Sequence, residues 1–373
     1  EEEMKKENNL KKSDEVLSFA VVPTRPKSRV YYLDVLRVIA CMAVILIHAS
    51  APYLGKDLGS FNFWVGNVLD SLSRIAVPLF VMISGALILN EKYAYKSEKI
   101  KKHIIKLAVF FIFWSAFYTL IFGIIYKIVV GESIDVLDIA LTFIKGHYHL
   151  WFIYLIIGLY LIVPLLRLWV KKENKKYVQY FIILSLIFAF LLPQIIEIGS
   201  HYSDKFDIFE KLLDTKLALC YIGGYTAYFL LGWYLNTFDI KNKKMIYCFG
   251  IISVFVTIMG TYLLSVTTNQ AMQLYSNLGL NVLLQSVAVF VFVKSRLNTT
   301  STKERKIVKT ISKYSLGVYA IHALIVEIAY MALKFVGMNE AMVAIPIVFV
   351  LAFSVSFLAS AIMSRVPLFR NVV

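Results

Sequence analysis

The chain has 373 residues, of which 59% are hydrophobic and 17% are charged, and its mean hydropathy is +0.70. A soluble protein has about half of its residues apolar and about a quarter charged, so this composition excludes a soluble globular protein and indicates a polytopic membrane protein. The net charge of +15 is explained by positive residues that collect in cytoplasmic loops during insertion, and it does not indicate a nucleic-acid partner.

The amino-terminal residues are polar, and the rest of the chain is mostly apolar. Residues 1–30 are rich in Lys, Glu, Asn and Ser, which predicts a flexible cytoplasmic tail without a cleavable signal peptide. Residues 31–373 are predicted to form a single transmembrane domain. It contains ten apolar segments of suitable length, placed at 32–52, 63–89, 104–126, 149–169, 178–196, 217–235, 245–265, 276–293, 311–335 and 341–363.

The distribution of positive residues supports this count. With the amino terminus in the cytoplasm, 29 of the 39 Lys and Arg residues fall in cytoplasmic segments, 7 fall in external loops, and the rest lie inside helices. The bias alternates at every loop, and an omitted helix would invert it downstream. The predicted fold class is therefore an all-α polytopic membrane protein with ten transmembrane helices and both termini cytoplasmic.

The first segment carries three ionisable residues, Asp34, Arg37 and His48. Such residues are costly in hydrocarbon, so their presence indicates a functional site. Arg37 and His48 are eleven positions apart, which on a helix places them on one face, separated by about 16 Å of rise. Asp34 and Arg37 are three positions apart and can form an ion pair.

The second segment carries Asp70 and Arg74, which are four positions apart and share a face. Two buried arginines with little buried acid opposite them favour an anionic ligand, although a structural ion pair is the alternative. Pro78 can bend this helix, and the Ser84-Gly85 pair permits close backbone approach. The pair is interpreted either as a helix-packing site or as part of the donor site.

Further candidates lie on the fourth and ninth segments. His149 and Trp151 open the fourth segment at the outer surface; Trp151 is either an interfacial aromatic residue or, with His149, an acceptor contact. Tyr319 and His322 are three positions apart on the ninth segment. They are interpreted either as a hydrogen-bonded pair that stabilises the bundle or as part of the site. Glu327, in the outer half of the same segment, is a candidate acceptor contact.

No metal site is predicted, since His147 and His149 lack a neighbouring carboxylate or thiolate cluster in the sequence. Three cysteines, in or beside apolar segments, do not indicate a disulfide framework and are interpreted as packing residues. Hydrolase, zinc-protease and nucleotide-binding motifs are likewise not apparent.

Four stretches of the chain, taken in order, resemble the membrane-bound acyltransferase 3 family. They are LDVLRVIACMAVILIHAS, SRIAVPLFVMISGALIL, HLWFIYLIIGLYLIVPLL and YSLGVYAIHALIVE. The family's signature is an arginine and a histidine with ten residues between them on the first helix, which Arg37 and His48 match. The resemblance covers essentially the whole chain after the tail.

The resemblance implies transfer of an acyl group, acetyl or succinyl, from cytoplasmic acyl-CoA to a hydroxyl of an extracytoplasmic or lipid-linked saccharide in a bacterial cytoplasmic membrane. Acetyl-CoA is the expected co-substrate, and no tightly bound cofactor is implied. Histidine is the usual general base for such a transfer, so we expect His48 to deprotonate the acceptor. Arg37 and Asp34 are expected to bind or orient the donor, with Arg74 assisting donor binding or oxyanion stabilisation.

A rival interpretation is an exporter or flippase of a glycan or lipid-linked intermediate, because buried charges along a polar path suit transport as well. The absence of a recognisable internal repeat argues against it. A membrane sensor or scaffold is a third interpretation, which does not require these buried charges. The sequence leaves open the acceptor, the acyl group and the oligomeric state; a homodimer is compatible, since every predicted helix has an apolar face.

Overall fold

Helix is the only regular secondary structure among the residues that the computed structural model describes. These are residues 30–55, 57–91, 97–131, 135–201, 203, 219–271, 274–297, 302–367, 369–370 and 372–373. The predicted tail lies outside them, apart from residue 30. The helices are α1 (Tyr31–Ser50), α2 (Phe61–Ser73), α3 (Ala76–Ile88), α4 (Ser97–Tyr118), α5 (Tyr126–Val130), α6 (Val136–Lys145), α7 (Trp151–Trp169), α8 (Lys175–Ser185), α9 (Leu192–Ser200), α10 (Leu219–Thr237), α11 (Lys243–Thr268), α12 (Leu280–Arg296), α13 (Thr302–Phe335) and α14 (Ala341–Met363). π-Helical stretches join α4 to α5 (Thr119–Ile125) and α8 to α9 (Leu186–Leu191).

Eight helical stretches of the described residues are long and apolar enough to cross a bilayer. They are Tyr31–Tyr53, Phe61–Ile88, Ser97–Val129, Trp151–Trp169, Lys172–Ser200, Lys243–Thr268, Lys306–Phe335 and Ala341–Met363. Each coincides with one of the ten predicted segments. The two remaining predicted segments, 217–235 and 276–293, are occupied by α10 and α12. The all-α, polytopic membrane class is thus confirmed, whereas the count of ten and the cytoplasmic termini stay predictions.

The second predicted segment is not one continuous helix. The α-helical geometry is interrupted between Ser73 and Ala76, so that α2 and α3 meet at Arg74 and Ile75. Pro78 has no backbone N–H to donate to the carbonyl four residues earlier, which is that of Arg74. The interruption therefore lies where the proline removes a helical hydrogen bond, and it places Arg74 at a junction between helices.

The third predicted segment and the loop after it also differ from expectation. Helix α4 begins at Ser97, and helical structure continues through the π-helical stretch to Val130. The predicted external loop 127–148 contains α6, whose first turn is capped by the Asp135 side chain accepting from the Leu137 N–H at 3.1 Å. No residue of α6 is buried, and Val136 is 80% exposed.

Helices α3 and α10 pack at backbone contact through two glycines. A Cβ atom added to Gly85 would lie 1.8 Å from the Phe229 carbonyl oxygen, and one added to Gly232 would lie 1.9 Å from that of Met82. Neither position has room for any side chain. The expected close approach at Gly85 is therefore confirmed, and α3 and α10 form a tight pair beside α1, which also packs against α2, α13 and α14.

Candidate active site

The polar stripe of α1 begins in a buried three-residue network. Arg37 Nη1 donates to Asp34 Oδ1 at 2.9 Å and lies 2.8 Å from the Ser312 hydroxyl oxygen of α13. The Ser312 hydroxyl donates to Asp34 Oδ1 at 2.8 Å. All three residues are buried. The predicted Asp34–Arg37 pair is present, and Ser312 connects it to a second helix.

His48 lies at the other end of the stripe and is half-buried. Its ring packs against Tyr148 and His322, with centroid separations of 5.0 Å and 5.2 Å. Within the described part of the chain, neither of its ring nitrogens is hydrogen-bonded to a protein group. Its imidazole can therefore accept a proton from an incoming hydroxyl without first losing a protein partner.

Two further imidazoles, those of His322 and His149, extend from the His48 ring. His322 of α13 is fully buried, and its ring centroid lies 5.3 Å from that of His149. Its Nδ1 atom lies 2.7 Å from the Tyr319 carbonyl oxygen. The Tyr319 hydroxyl in turn donates to the His149 carbonyl. The predicted site residues Tyr319 and His322, both on α13, are thus in contact with each other and with His149, which comes from a distant part of the chain.

His147 and Glu327 complete this histidine cluster toward its more exposed side. His147 Nδ1 lies 3.0 Å from His149 Nδ1, and its Nε2 atom lies 3.3 Å from Glu327 Oε1. The side chains of His147 and Glu327 are 13% and 31% exposed. Tyr118 of α4 stacks on the His147 ring at 4.2 Å and donates to the Ala320 carbonyl at 2.7 Å. We call His48, His322, His149, His147 and Glu327 the histidine cluster.

The backbone conformation of residues 146–150 determines where His147 and His149 lie in the bundle. Gly146 ends α6 with a φ of +71°, a conformation that other residues rarely adopt. A Cβ atom there would also lie 2.9 Å from the Phe111 ring. The Leu150 N–H donates to the His147 carbonyl at 2.8 Å, and Leu150 is fully buried. The tight turn therefore packs against α4 and holds His147 and His149 in place.

Arg74 is linked to the end of α1 that carries His48 through Asp70, whose Oδ2 atom accepts from the Ser50 hydroxyl at 3.4 Å. Its Nε atom donates to Asp70 Oδ1, and its guanidinium lies 4.3 Å above the centre of the Tyr275 ring. Burial, and then the Asp70 carboxylate, raise the pKa of Tyr275, so its hydroxyl stays protonated and donates to Asn67. Arg37 and Arg74 each have an aspartate partner, which differs from the expectation of little buried acid opposite them. The site therefore carries less net positive charge than the arginines alone suggest.

Two predicted candidates do not join this arrangement. Trp151 is 39% exposed on the first turn of α7, with its ring near Phe152 and Tyr225; it fits an interfacial aromatic residue. Ser84 is buried where α3 packs against α10, and its hydroxyl is hydrogen-bonded to neither Arg37 nor His48.

The sequence did not single out Ser312, Tyr118 or Tyr148, because each joins the site through contacts between distant segments. The sequence analysis considered His147 only as a metal ligand. Its position two residues before His149 was the sequence feature that could have indicated a place in the site. Among the described residues, no group of three or more His, Cys, Asp or Glu side chains is arranged to hold a metal ion.

Comparison with protein families gives one match, the acyltransferase 3 family model, which is described as an acyltransferase domain and matches residues 30–365. No curated protein and no solved structure gives a significant match.

Proposed function

Because the chain belongs to the acyltransferase 3 family and is a multi-pass membrane acyltransferase, we propose that it transfers an acetyl or succinyl group from cytoplasmic acyl-CoA to a hydroxyl of an extracytoplasmic or lipid-linked saccharide. The proposed location is a bacterial cytoplasmic membrane, with both termini on the cytoplasmic side. The observation that carries the proposal is His48, a half-buried imidazole that packs against the Tyr148 and His322 rings and has no hydrogen-bonded partner among the described residues.

In this scheme His48 is the general base. It removes the proton of the acceptor hydroxyl as the hydroxyl oxygen bonds to the acyl carbon, and the carbon–sulfur bond then breaks with its electron pair leaving on the CoA sulfur. Histidine suits this step because its unperturbed pKa lies near neutral pH. Arg74, linked to the same end of α1 through Asp70 and Ser50, is proposed to stabilise the negative charge that develops on the thioester oxygen.

The donor is proposed to approach from the opposite end of the α1 stripe. Arg37 is buried and held by Asp34 and Ser312, so it is proposed to orient α1 and α13 rather than to bind phosphate directly. The phosphates of CoA then have the cytoplasmic lysines for direct contacts, such as Lys306 and Lys309, which are exposed on α13.

An exporter or flippase of a glycan remains the second candidate function, because buried ionisable residues lie at both ends of α1, at Asp34 and Arg37 and at His48. The two functions differ in their need for a donor. An acyltransferase must bind acyl-CoA and cleave its thioester, whereas an exporter requires neither.

Purified protein in detergent tests this difference. We expect it to bind acetyl-CoA or succinyl-CoA saturably, measured by calorimetry, and to release free CoA slowly when water replaces the acceptor, measured with a thiol reagent. The His48→Ala variant is expected to bind the donor but to release no CoA. If the folded wild-type protein neither binds nor cleaves acetyl-CoA or succinyl-CoA, the acyltransferase proposal is wrong and transport is favoured.

A further inference from the structure

The histidine cluster contains two ring nitrogens with an unmet hydrogen-bonding capacity. Among the residues that the structure describes, the buried Nε2 atoms of His149 and His322 have no hydrogen-bond partner, and the two residues are 2% and 0% exposed. A buried polar atom without a partner is costly, and such atoms are often part of a catalytic arrangement. The rings of His322 and His149 lie between those of His48 and His147, on the way from His48 to Glu327.

The partners of each ring determine which nitrogen carries its proton. A backbone carbonyl can only accept, so His322 is protonated at Nδ1 and has a lone pair at Nε2. His147 Nε2 lies 3.3 Å from the Glu327 carboxylate, which favours the proton on Nε2 and leaves His147 Nδ1 as an acceptor. His149 Nδ1, 3.0 Å from that atom, is therefore the donor. His149 Nε2 is then a lone-pair acceptor, as is His322 Nε2.

With these tautomers, a proton can pass in one direction, from His322 through His149 and His147 to Glu327. A proton from His48 binds His322 Nε2 and passes to His149 Nε2, the two ring centroids being 5.3 Å apart, and the Nδ1 proton of His149 then passes to His147 Nδ1. The Nε2 proton of His147 then passes to Glu327, the most exposed member of the chain. Each intermediate imidazole gives up one proton for each that it takes up, so the net change is one proton moved from His48 to Glu327. The ring centroids are separated by 5.1–5.3 Å from His48 to His147.

We propose that His322, His149, His147 and Glu327 form a proton path that carries the acceptor's proton from His48 to the rim of the site. The inference rests on the proposed function, in which His48 holds one extra proton after each transfer. The CoA sulfur, which leaves with an electron pair, takes up a proton from the cytoplasmic side. Each acyl transfer therefore consumes one proton at the donor side and releases one at the acceptor side.

Other groups around the path do not provide an alternative acceptor. The Tyr118 and Tyr319 hydroxyls already donate to backbone carbonyls, and Tyr148 contacts the rings of His48, His147 and His149 only by its aromatic face or edge. Arg74 is a permanent cation that cannot accept a proton. Asp70 is held by Arg74 and by the Ser50 hydroxyl, so Glu327, beside His147, is the carboxylate placed to receive the proton.

Inverted membrane vesicles that contain the protein and its endogenous saccharide test the path. Acetyl-CoA is supplied outside, a pH-sensitive dye is enclosed, and acetyl ester formed in the saccharide is measured in parallel. The wild-type protein should acidify the lumen in proportion to the ester formed. Glu327→Gln and His147→Gln should lower the rate of ester formation by about tenfold or more without changing the KM for acetyl-CoA, and imidazole added to the lumen should restore it.

Two exposed residues outside the cluster provide matched controls, Asp138→Asn for the carboxylate and His201→Gln for the imidazole. Both should retain the wild-type rate and should not respond to imidazole. If Glu327→Gln and His147→Gln retain the wild-type rate, or are slowed but not restored by imidazole, the proton path is wrong while the acyltransferase function stands. If the wild-type protein forms no ester, the proposed function itself fails.

Discussion

Asp34, Arg37 and Ser312 show how opposite charges can be buried in a helical bundle. Arg37 and Asp34 form an ion pair within one helix turn, and Ser312 from α13 hydrogen-bonds both of them. The pair therefore presents a neutral unit to its surroundings. The attraction between the two charges contributes little net stability. Removing one partner is strongly destabilising, because the other buried charge is then no longer neutralised.

This reasoning predicts the behaviour of Arg37 variants. Arg37→Ala should lower the free energy of unfolding by about 3–5 kcal/mol, since it removes the cation that pairs with the buried Asp34 carboxylate. Replacing both residues by apolar ones, Asp34→Leu with Arg37→Met, should recover most of that stability. The measurement is thermal denaturation in detergent. An Arg37→Ala protein that melts at the wild-type temperature would contradict the role of the network.

At the scale of elements, the turn that ends α6 determines where two histidines lie. Gly146 combines a positive φ with a close contact to Phe111. Gly146→Ala should therefore displace His147 and His149 and lower the rate of acyl transfer. Gly131→Ala is the matched control, because Gly131 has a φ of +78° but no neighbouring atom within 4 Å of an added Cβ.

Gly131 lies in the left-handed α region (φ +78°, ψ +22°), where alanine costs about 1–2 kcal/mol. Gly146 (φ +71°, ψ +171°) lies in a region almost exclusive to glycine, so the two variants are compared by activity and not by stability. Activity per folded molecule is the deciding measurement. We expect Gly131→Ala to retain it and Gly146→Ala to lose it. Equal activities would show that the turn does not position the histidines.

The α3–α10 pair supplies a second prediction at this scale. Gly85→Ala would place a Cβ atom 1.8 Å from the Phe229 carbonyl oxygen, so the helices must separate, at a cost of about 1–3 kcal/mol or more. Gly158→Ala, in α7, has no atom within 4 Å of its added Cβ and should be neutral or stabilising by up to about 1 kcal/mol. Thermal denaturation of the two variants checks this, and a Gly85→Ala protein as stable as wild type would contradict the packing.

At the scale of the whole molecule, the sequence predicted the membrane class and the polar face of α1 because both depend on local pattern. Hydropathy identified the apolar segments, and helical periodicity placed Arg37 and His48 on one face. The break at Arg74 was only partly anticipated through Pro78. The Ser312 contact and the joining of His147, His149, His322 and Glu327 depend on how distant segments pack, which periodicity does not encode.

As the proposed general base, His48 should be required for direct transfer of an acyl group from a donor on one side of the bundle to an acceptor on the other. Inverted membrane vesicles test it directly when labelled acetyl-CoA or succinyl-CoA is supplied outside and label is measured in saccharide enclosed within. Loss of a general base typically lowers the rate by about 10²–10⁴-fold. We predict a loss of that size in His48→Gln, with donor binding and thermal stability close to wild type; a folded His48→Gln protein that transfers label at the wild-type rate would contradict the claim.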